Sequence, residues 1–417
     1  MKRKFSGVVL IVVLVIAGYA GYAIWKNFRG IRPAFFPPPA RITDLITPAG
    51  PTGGSGLSGD RITSAESRND TGFPLTTPPG FSISVFAKGL GKPRVMTFDP
   101  NGTLLVSIPS SGTVVALPDK NGDGVADRIV TIAKGLNTPH GLAFRPDTHD
   151  LYIAEVHQVV AYTYDDAAFS TGNPRKITDL PSGGNHVTRT IGFGPDGKLY
   201  IAVGSTCNVC VESDWQRTKI LVADPDGGNL REYASGLRNA VFFRWHPVTH
   251  ELWATEMGRD YLGDNLPPDE VNIIKDGRSY GWPYCYGKRV WDTTFDDSER
   301  ARNFCLSSEP SFIDIPAHSA PLGLAFVPAV GWPSDWRNTL LVAYHGSWNR
   351  SEPTGYKVVH YVPDADGTYR GVEDFITGWL RGDGALGRPV DLLFDDSGTL
   401  FISDDKAGVI YRIFYAG

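Results

Sequence analysis

Thr190-Ile191-Gly192-Phe193-Gly194-Pro195-Asp196-Gly197-Lys198-Leu199-Tyr200-Ile201-Ala202-Val203 holds the unit that decides the fold. An apolar segment ends in an aromatic, Pro195-Asp196-Gly197 supplies a turn, and a second run of β-formers follows, which is the pattern of a hairpin. The unit recurs. Val95-Met96-Thr97-Phe98 leads to Thr103–Ile108, Gly141-Leu142-Ala143-Phe144 to Leu151–Glu155, and Val241–Trp245 to Glu251–Thr255. Gly323-Leu324-Ala325-Phe326 leads to Thr339–Ala343, and Asp391-Leu392-Leu393-Phe394 to Thr399–Ser403. The copies stand mostly about 45 to 60 residues apart, the length of a four-stranded propeller blade. Six copies predict an all-β chain, a six-bladed β-propeller over residues 80–417. The wider interval between the fourth and fifth copies assigns residues 260–320 to an extended loop or inserted hairpin, with room for a degenerate seventh blade.

Composition agrees with this reading. The 47 Gly and 31 Pro of the 417 residues lie among short Val, Ile, Tyr and Phe runs, which calls for many tight turns and few long helices. A net charge of −5 offers no broad basic surface and argues against a nucleic-acid partner.

At the N-terminus, Lys2, Arg3 and Lys4 precede an unbroken apolar run from Val8 to Trp25, near the lower limit for a membrane-crossing helix. The basic residues ahead of it send the following chain outward. Residues 1–30 are therefore expected to form a transmembrane helix that anchors the protein to the cytoplasmic membrane. A cleaved signal peptide is the competing reading, with Gly18-Tyr19-Ala20 and Gly21-Tyr22-Ala23 offering small residues at cleavage spacing. Both readings place the body outside the cytoplasm, on the periplasmic side. Residues 31–79, with Pro37-Pro38-Pro39 and Gly53-Gly54-Ser55-Gly56, have the composition of a disordered linker.

The four cysteines fit an oxidising compartment. Cys207-Asn208-Val209-Cys210 is followed by Val211 where a haem attachment needs His, and Cys285 and Cys305 are too far apart for a zinc ribbon. Two structural disulfides are expected, and proximity suggests Cys207 with Cys210 and Cys285 with Cys305. Asp119, Asn121, Asp123 and Asp127, with Gly122 and Gly124, resemble the start of a calcium loop. Val130 stands where the bidentate Glu belongs, so an Asx-rich hairpin turn is the stronger reading.

In a propeller the loop entering each first strand opens on one face, and functional groups gather there. Here an Arg or His precedes every first strand: Arg94, His140, His186 with Arg189, Arg238, His318 and Arg388. Any one of them alone is ordinarily a paired structural side chain. Recurrence at one phase predicts a cationic mouth suited to a small, flat, multiply anionic ligand, because Arg grips carboxylates bidentately.

Five segments resemble a known family. They are His186–Tyr200, Ala234–Asn239, Gly258–Asp264 continuing through Pro267-Pro268-Asp269-Glu270 to Tyr280-Gly281-Trp282-Pro283, Gly346–Arg350, and Gly387-Arg388-Pro389 to Asp404–Gly408. In order, from about residue 80 to 415, they resemble the soluble quinoprotein glucose and sorbosone dehydrogenases, which use pyrroloquinoline quinone (PQQ), and most closely the sorbosone branch. The resemblance implies that His186 is the general base for the substrate hydroxyl while hydride passes to the quinone of PQQ. It implies that Arg238 and Asn239 contact the quinone, with Arg238 stabilising its developing charge. It gives Gly258 and Arg259 as the positions whose backbone carbonyls hold Ca²⁺, although Arg259 departs from the Pro common there. Arg388 falls where a carboxylate-gripping Arg is expected, and His318, His345, Arg350 and Lys357 lie on neighbouring cofactor-binding loops. A neutral imidazole suits the base because it accepts a proton near pH 7.

The implied function is PQQ-dependent oxidation of a sugar, a sorbosone-like aldehyde or a polyol, with an unknown electron acceptor. Two rivals stand beside it. One is a non-catalytic extracytoplasmic propeller that binds a glycan or protein. The other is a Ca²⁺-dependent lactonase-type hydrolase, which would present carboxylates and Asn at the mouth where this chain presents cations.

Overall fold

The computed structural model describes residues 13–24, 31–36, 67–363, 369–382 and 384–417. Six antiparallel sheets built on four strands follow one another along the chain, one per blade. Blade 1 runs Met96–Phe98, Leu104–Ile108, Thr113–Leu117 and Val130–Lys134. Blade 2 is Leu142–Phe144, Asp150–Glu155, Gln158–Asp165 and Arg175–Asp179; blade 3 is Ile191–Phe193, Leu199–Val203, Lys219–Ala223 and Arg231–Ser235. Blade 4 comprises Phe243–Trp245, Leu252–Glu256, Asp269–Ile274 and Ile313–Ile315, and blade 5 Pro321–Phe326, Leu340–Tyr344, Lys357–Pro363 and Tyr369–Ile376. Blade 6 takes three strands from the C-terminus, Pro389–Phe394, Leu400–Asp404 and Val409–Tyr415, and its outermost, Phe81–Lys88, from the start of the body. The pairing of Phe81 with Tyr415 through Lys88 with Val409 covers the open edge of the last sheet and closes the ring.

Each quoted sequence unit forms the first hairpin of a blade. In blade 3, Ile191 pairs with Ile201 and Phe193 with Leu199, and the turn closes with Gly197 N–H donating to the Gly194 carbonyl at 2.9 Å. The second strands Leu104–Ile108, Leu199–Val203, Leu252–Glu256, Leu340–Tyr344 and Leu400–Asp404 are buried at every residue. Both faces of these strands pack on neighbouring blades, which explains apolar runs where a half-exposed sheet would alternate. First strands meet at backbone distance around the centre. A Cβ on Gly141 would lie 2.5 Å from the Arg189 carbonyl, and Gly141 N–H instead donates to that oxygen at 2.8 Å. Deeper in, the buried Asp391 carboxylate accepts from Met96 N–H at 2.9 Å and Arg244 at 3.1 Å, joining blades 6, 1 and 4.

The long interval before the fifth copy is an insertion in blade 4. Residues 275–312 contain a hairpin, Cys285–Tyr286 with Val290–Trp291, and the helix Glu299–Ser307, whose first turn is capped by Ser298 accepting from Ala301 N–H at 3.2 Å. The Cys285–Cys305 disulfide ties this hairpin to the helix, and Cys207–Cys210 is the second bridge. Among the described residues there is no seventh four-stranded sheet. The Asp119–Asp127 loop turns its carboxylates onto its own backbone: Asp119 accepts from Gly122 and Gly124, each at 2.9 Å, and Asp127 from Lys120 at 2.8 Å.

The N-terminal expectation needs correction. Among the described residues no helix is long and apolar enough to cross a membrane. Residues 13–24 are helical, about 18 Å at 1.5 Å per residue against roughly 30 Å of hydrocarbon. The transmembrane anchor, and with it the membrane as a partner, is thereby overturned; residues 1–12 and 25–30 of that expected segment lie outside the described residues. Of the expected linker, residues 37–66 also lie outside them, while its ends are docked on blade 6 and on the segment that follows the last strand of blade 5. Arg68–Asn69 pairs in parallel with Ser82 and Ile83, Thr76 bridges Thr377, and the Phe36 carbonyl accepts from Lys406 Nζ at 2.8 Å.

Candidate active site

The loops entering the first strands, with those between second and third strands, converge on a cavity of about 260 Å³. Seven nominated residues line it: His186, Arg238, Asn239, Gly258, His318, His345 and Arg388. They come from blades 3, 4, 5 and 6, brought together because each sits just before or after a strand at the same end of the ring.

His186 is five residues ahead of the strand Ile191–Phe193. Its Nδ1 lies 3.0 Å from the Ser205 carbonyl and 2.8 Å from Ser205 Oγ. A carbonyl only accepts, and the Ser205 hydroxyl already donates to the Cys207 carbonyl at 2.8 Å. Nδ1 therefore carries the proton and Nε2 keeps its lone pair. Burial, and then the charge of Arg238, push the His186 pKa down to about 3, so the ring stays neutral. Arg189, fully buried, holds the loop from behind by donating to the carbonyls of His186 at 3.0 Å, Thr188 at 2.7 Å and Pro181 at 2.7 Å.

Arg238 is buried with 5% of its side chain exposed. It donates through Nε to the Asn208 carbonyl at 2.8 Å, and through its terminal nitrogens to Asn208 Oδ1 at 3.0 Å, the Met257 carbonyl at 3.3 Å and Asp260 at 3.3 Å. Asp260 also accepts from Asn349 Nδ2 at 2.9 Å. Asp269 accepts from Gly258 N–H and Ala320 N–H, each at 2.9 Å, and burial raises its pKa to about 7. Across the cavity Arg388 spends Nε on the His345 carbonyl at 3.0 Å and one terminal nitrogen on the Gly346 carbonyl at 2.7 Å, over the ring of Tyr356. His345 donates from Nε2 to Asp405 at 2.9 Å, and His318 from Nε2 to the Gly263 carbonyl at 2.8 Å.

Three nominated side chains point elsewhere. Arg259 turns away from the cavity onto Asp292 of the insertion at 2.6 Å, so its charge faces that carboxylate while its backbone stays beside Gly258. Arg350 clamps loops by donating to the carbonyls of Asp264 and, at 3.2 Å, Ala317. Lys357 pairs with Asp374 across strands at 2.5 Å. Of the other Arg and His residues at this phase, Arg94 is paired with Asp405 at 2.8 Å and His140 is buried against Thr190 and Phe242. Several cavity residues received no role from sequence. Asp260, Asp269, Trp348 and Asn349 lay inside quoted motifs, and behind the lining Ser205 and Asn208, the latter within the quoted Cys207–Cys210 stretch, also received none.

The family model described as TrAA12-like matches residues 75–416. An uncharacterized protein of Borreliella burgdorferi is 31% identical over 363 residues, covering 82% of this chain and 91% of the relative. The PQQ-dependent pyranose dehydrogenase of Coprinopsis cinerea is 26% identical over 82% of this chain, which spans about half, 54%, of that enzyme's length. The holo structure of its PQQ domain superposes with a TM-score of 0.71 at 23% identity, covering 84% of this chain and all of that domain. A calcium structure of the Trichoderma reesei family AA12 enzyme gives 0.69 at 24% identity, with 84% of this chain and 100% of that one covered. The ring, its closure and every residue of the cavity fall inside the matched span, and the chain belongs to the TrAA12-like family.

Proposed function

We propose that this chain is a PQQ-dependent dehydrogenase that oxidises a sugar, a sorbosone-like aldehyde or a polyol, with His186 as the general base. The observation that carries the proposal is the Nδ1–H tautomer of His186, held by Ser205 so that Nε2 stays unprotonated in a residue that shares its cavity with the buried Arg238 and Arg388. The named relatives, a pyranose dehydrogenase among them, support the reaction class.

The donor set suits the cofactor. Arg238 and Arg388 are buried cations at opposite sides of one cavity, and Asn239, Asn349 and the Trp348 indole supply amides and a flat apolar face. A planar polyanion suits a lining with two guanidinium groups, one of which, Arg238, is also paired with Asp260 at 3.3 Å. Asn349 Oδ1 is buried with no partner, a polar atom left over for a ligand or its water. Arg238, Asn239 and Arg388 would hold PQQ, and the backbone carbonyls of Gly258 and Arg259, bordered by Asp260 and Asp269, would hold Ca²⁺. PQQ supplies the two-electron acceptor when bound, and Ca²⁺ polarises it. His186 Nε2 takes the proton of the substrate hydroxyl, and Ser205 keeps the ring from flipping. Arg238 opposes negative charge developing at its side of the cavity. Two disulfides support an extracytoplasmic location.

Titration of the purified protein with PQQ in the presence of Ca²⁺, read by absorbance, followed by dye reduction with aldoses, sorbosone and polyols, tests the reading. Saturable PQQ binding and substrate-dependent dye reduction are expected. A protein that binds no PQQ under these conditions would be a binding propeller instead.

A further inference from the structure

The disulfide-closed loop Cys207–Cys210 contacts Arg238 directly and reaches His186 through Ser205, and no part of the proposed chemistry uses it directly. Asn208 is its working member. Its carbonyl accepts from Arg238 Nε at 2.8 Å, and its Oδ1 accepts from Arg238 at 3.0 Å and from Asp260 N–H at 2.8 Å. Its Nδ2 donates to the Asp260 carbonyl at 3.1 Å. The amide orientation is unambiguous, because an N–H faces Oδ1 and a carbonyl faces Nδ2. Arg238's contact with the Asp260 carboxylate, at 3.3 Å, is longer than either contact with Asn208. Two of the four bonds that aim the guanidinium therefore come from this one residue, which also fixes the segment following Gly258 and Arg259.

The neighbouring residue serves His186. The Cys207 carbonyl accepts a hydrogen bond from the Ser205 hydroxyl at 2.8 Å, and that commitment leaves Ser205 Oγ to accept from His186 Nδ1. The loop is braced behind by Glu212, whose carboxylate accepts from Thr206 N–H at 2.6 Å. A four-residue turn closed by a disulfide has few conformations to lose, so it can hold both groups at low entropic cost.

We propose that Asn208, in its disulfide-closed loop, is the positioning residue that sets Arg238 and the 258–260 segment relative to His186. The proposal rests on the cavity being the PQQ site. Its test uses full-length protein with PQQ and Ca²⁺ as the probe. The measurements are the PQQ dissociation constant by absorbance titration, the kcat and KM of dye-coupled oxidation, and the Tm of the cofactor-free protein. Asn208→Ala is expected to weaken PQQ binding by about tenfold or more and to lower kcat with little change in KM. Asn208→Asp, which keeps the Oδ1 acceptor, should recover part of the affinity. Cys207→Ser with Cys210→Ser should shift both readouts in the direction of Asn208→Ala, and it decides the matter if the alanine variant does not fold. PQQ affinity and kcat within twofold of wild type in a folded Asn208→Ala or double-serine variant, while Arg238→Ala loses both, overturns the positioning role and leaves the cofactor reading intact. Absence of PQQ binding by the wild-type protein overturns both.

Discussion

The strand Pro389–Phe394 has a cavity at each end, and the two differ in how their polar groups are used. Arg388, just before it, lines the cavity of about 260 Å³ with His186 and Arg238. Asp395–Ser397, just after it, line a larger one of about 710 Å³, walled by the turns of blades 6 and 1 and by Phe86, Phe98, Phe169 and Phe401. The larger cavity is rich in carboxylates, and among them Asp99, Asp119 and Asp395 close their own turns. Asp99 Oδ1 accepts from Asn101 and Thr103 N–H at 3.0 and 2.8 Å, and Asp395 Oδ1 from Ser397 and Thr399 at 3.0 and 2.7 Å. At the smaller cavity, side chains from chain-distant loops reach across to one another: Asp260 binds Arg238 and Asn349, and Arg388 binds the carbonyls after strand Leu340–Tyr344. Volume therefore does not mark the site. A carboxylate oxygen held by the N–H groups of its own turn is oriented by that turn, whereas a side chain held by another loop can be aimed at a shared point.

The largest test of this contrast is His186→Ala against Asp99→Ala. Loss of general-base help typically costs 10² to 10⁴ in rate, so His186→Ala is expected to lower kcat by roughly that factor while still binding PQQ. Asp99→Ala should leave kcat unchanged. A large loss of turnover from a stably folded Asp99 variant would break the comparison. A titration sharpens the His186 half. In the cofactor-free protein, NMR titration of the imidazoles should place His186, assigned by its loss in His186→Ala, well below the ordinary histidine range, since its pKa lies at about 3. The sign for stability follows. Below about pH 6.5 the unfolded chain takes up a proton that the folded one refuses until about pH 3. The fold therefore loses stability as pH falls through that window, and His186→Ala should flatten the dependence of Tm on pH there.

What could be read in advance divides along the same line. The blades were legible because a turn such as Pro195-Asp196-Gly197 and the apolar run after it are local signals, and six repeats reinforce one another. The mouth was legible as a recurring phase of Arg and His, which brought His186, Arg238, His318 and Arg388 to one cavity, while Asn239, Gly258 and His345 came from the family resemblance. Partners were not legible. Arg259 was assigned by its motif, but its guanidinium is turned by Asp292, which belongs to an insertion whose structure no repeat describes. Arg94 and His345 share Asp405, about sixty residues beyond one and three hundred beyond the other, a pairing visible only after the ring has closed. The apolar N-terminal run shows the opposite error: hydropathy alone suggested a span, and the described helix is too short for one.

A smaller effect is expected for the stability of the far end. Asp99 is 4% exposed, and besides its own turn it accepts from the Tyr164 hydroxyl of blade 2 at 3.2 Å. Asp99→Ala leaves two backbone N–H groups and that hydroxyl to find other partners, at a cost of about 1–3 kcal/mol. Denaturant unfolding should show this as a lower midpoint, with PQQ affinity unchanged. Full stability in Asp99→Ala would mean that these carboxylates are not needed to close their turns, and that the larger cavity has polar groups to spare.

The smallest effect is expected at Lys357, the nominated residue farthest in character from the cavity. Its strand pairs with Tyr369–Ile376, and its ammonium sits 2.5 Å from Asp374 with side-chain exposures of 30% and 53% for the two partners. An ion pair this open to solvent gains little Coulomb energy and is screened by salt, so Lys357→Ala should cost at most about 1 kcal/mol in stability, less as salt is raised. The same placement, outside the lining of the cavity, means that PQQ affinity and kcat should match wild type. A tenfold loss of PQQ affinity in Lys357→Ala would show that the side chain leaves Asp374 for the cofactor on binding. Lys357 would then join Arg238, which is paired with Asp260 and still lines the cavity, as a group whose ion pair does not keep it from the mouth.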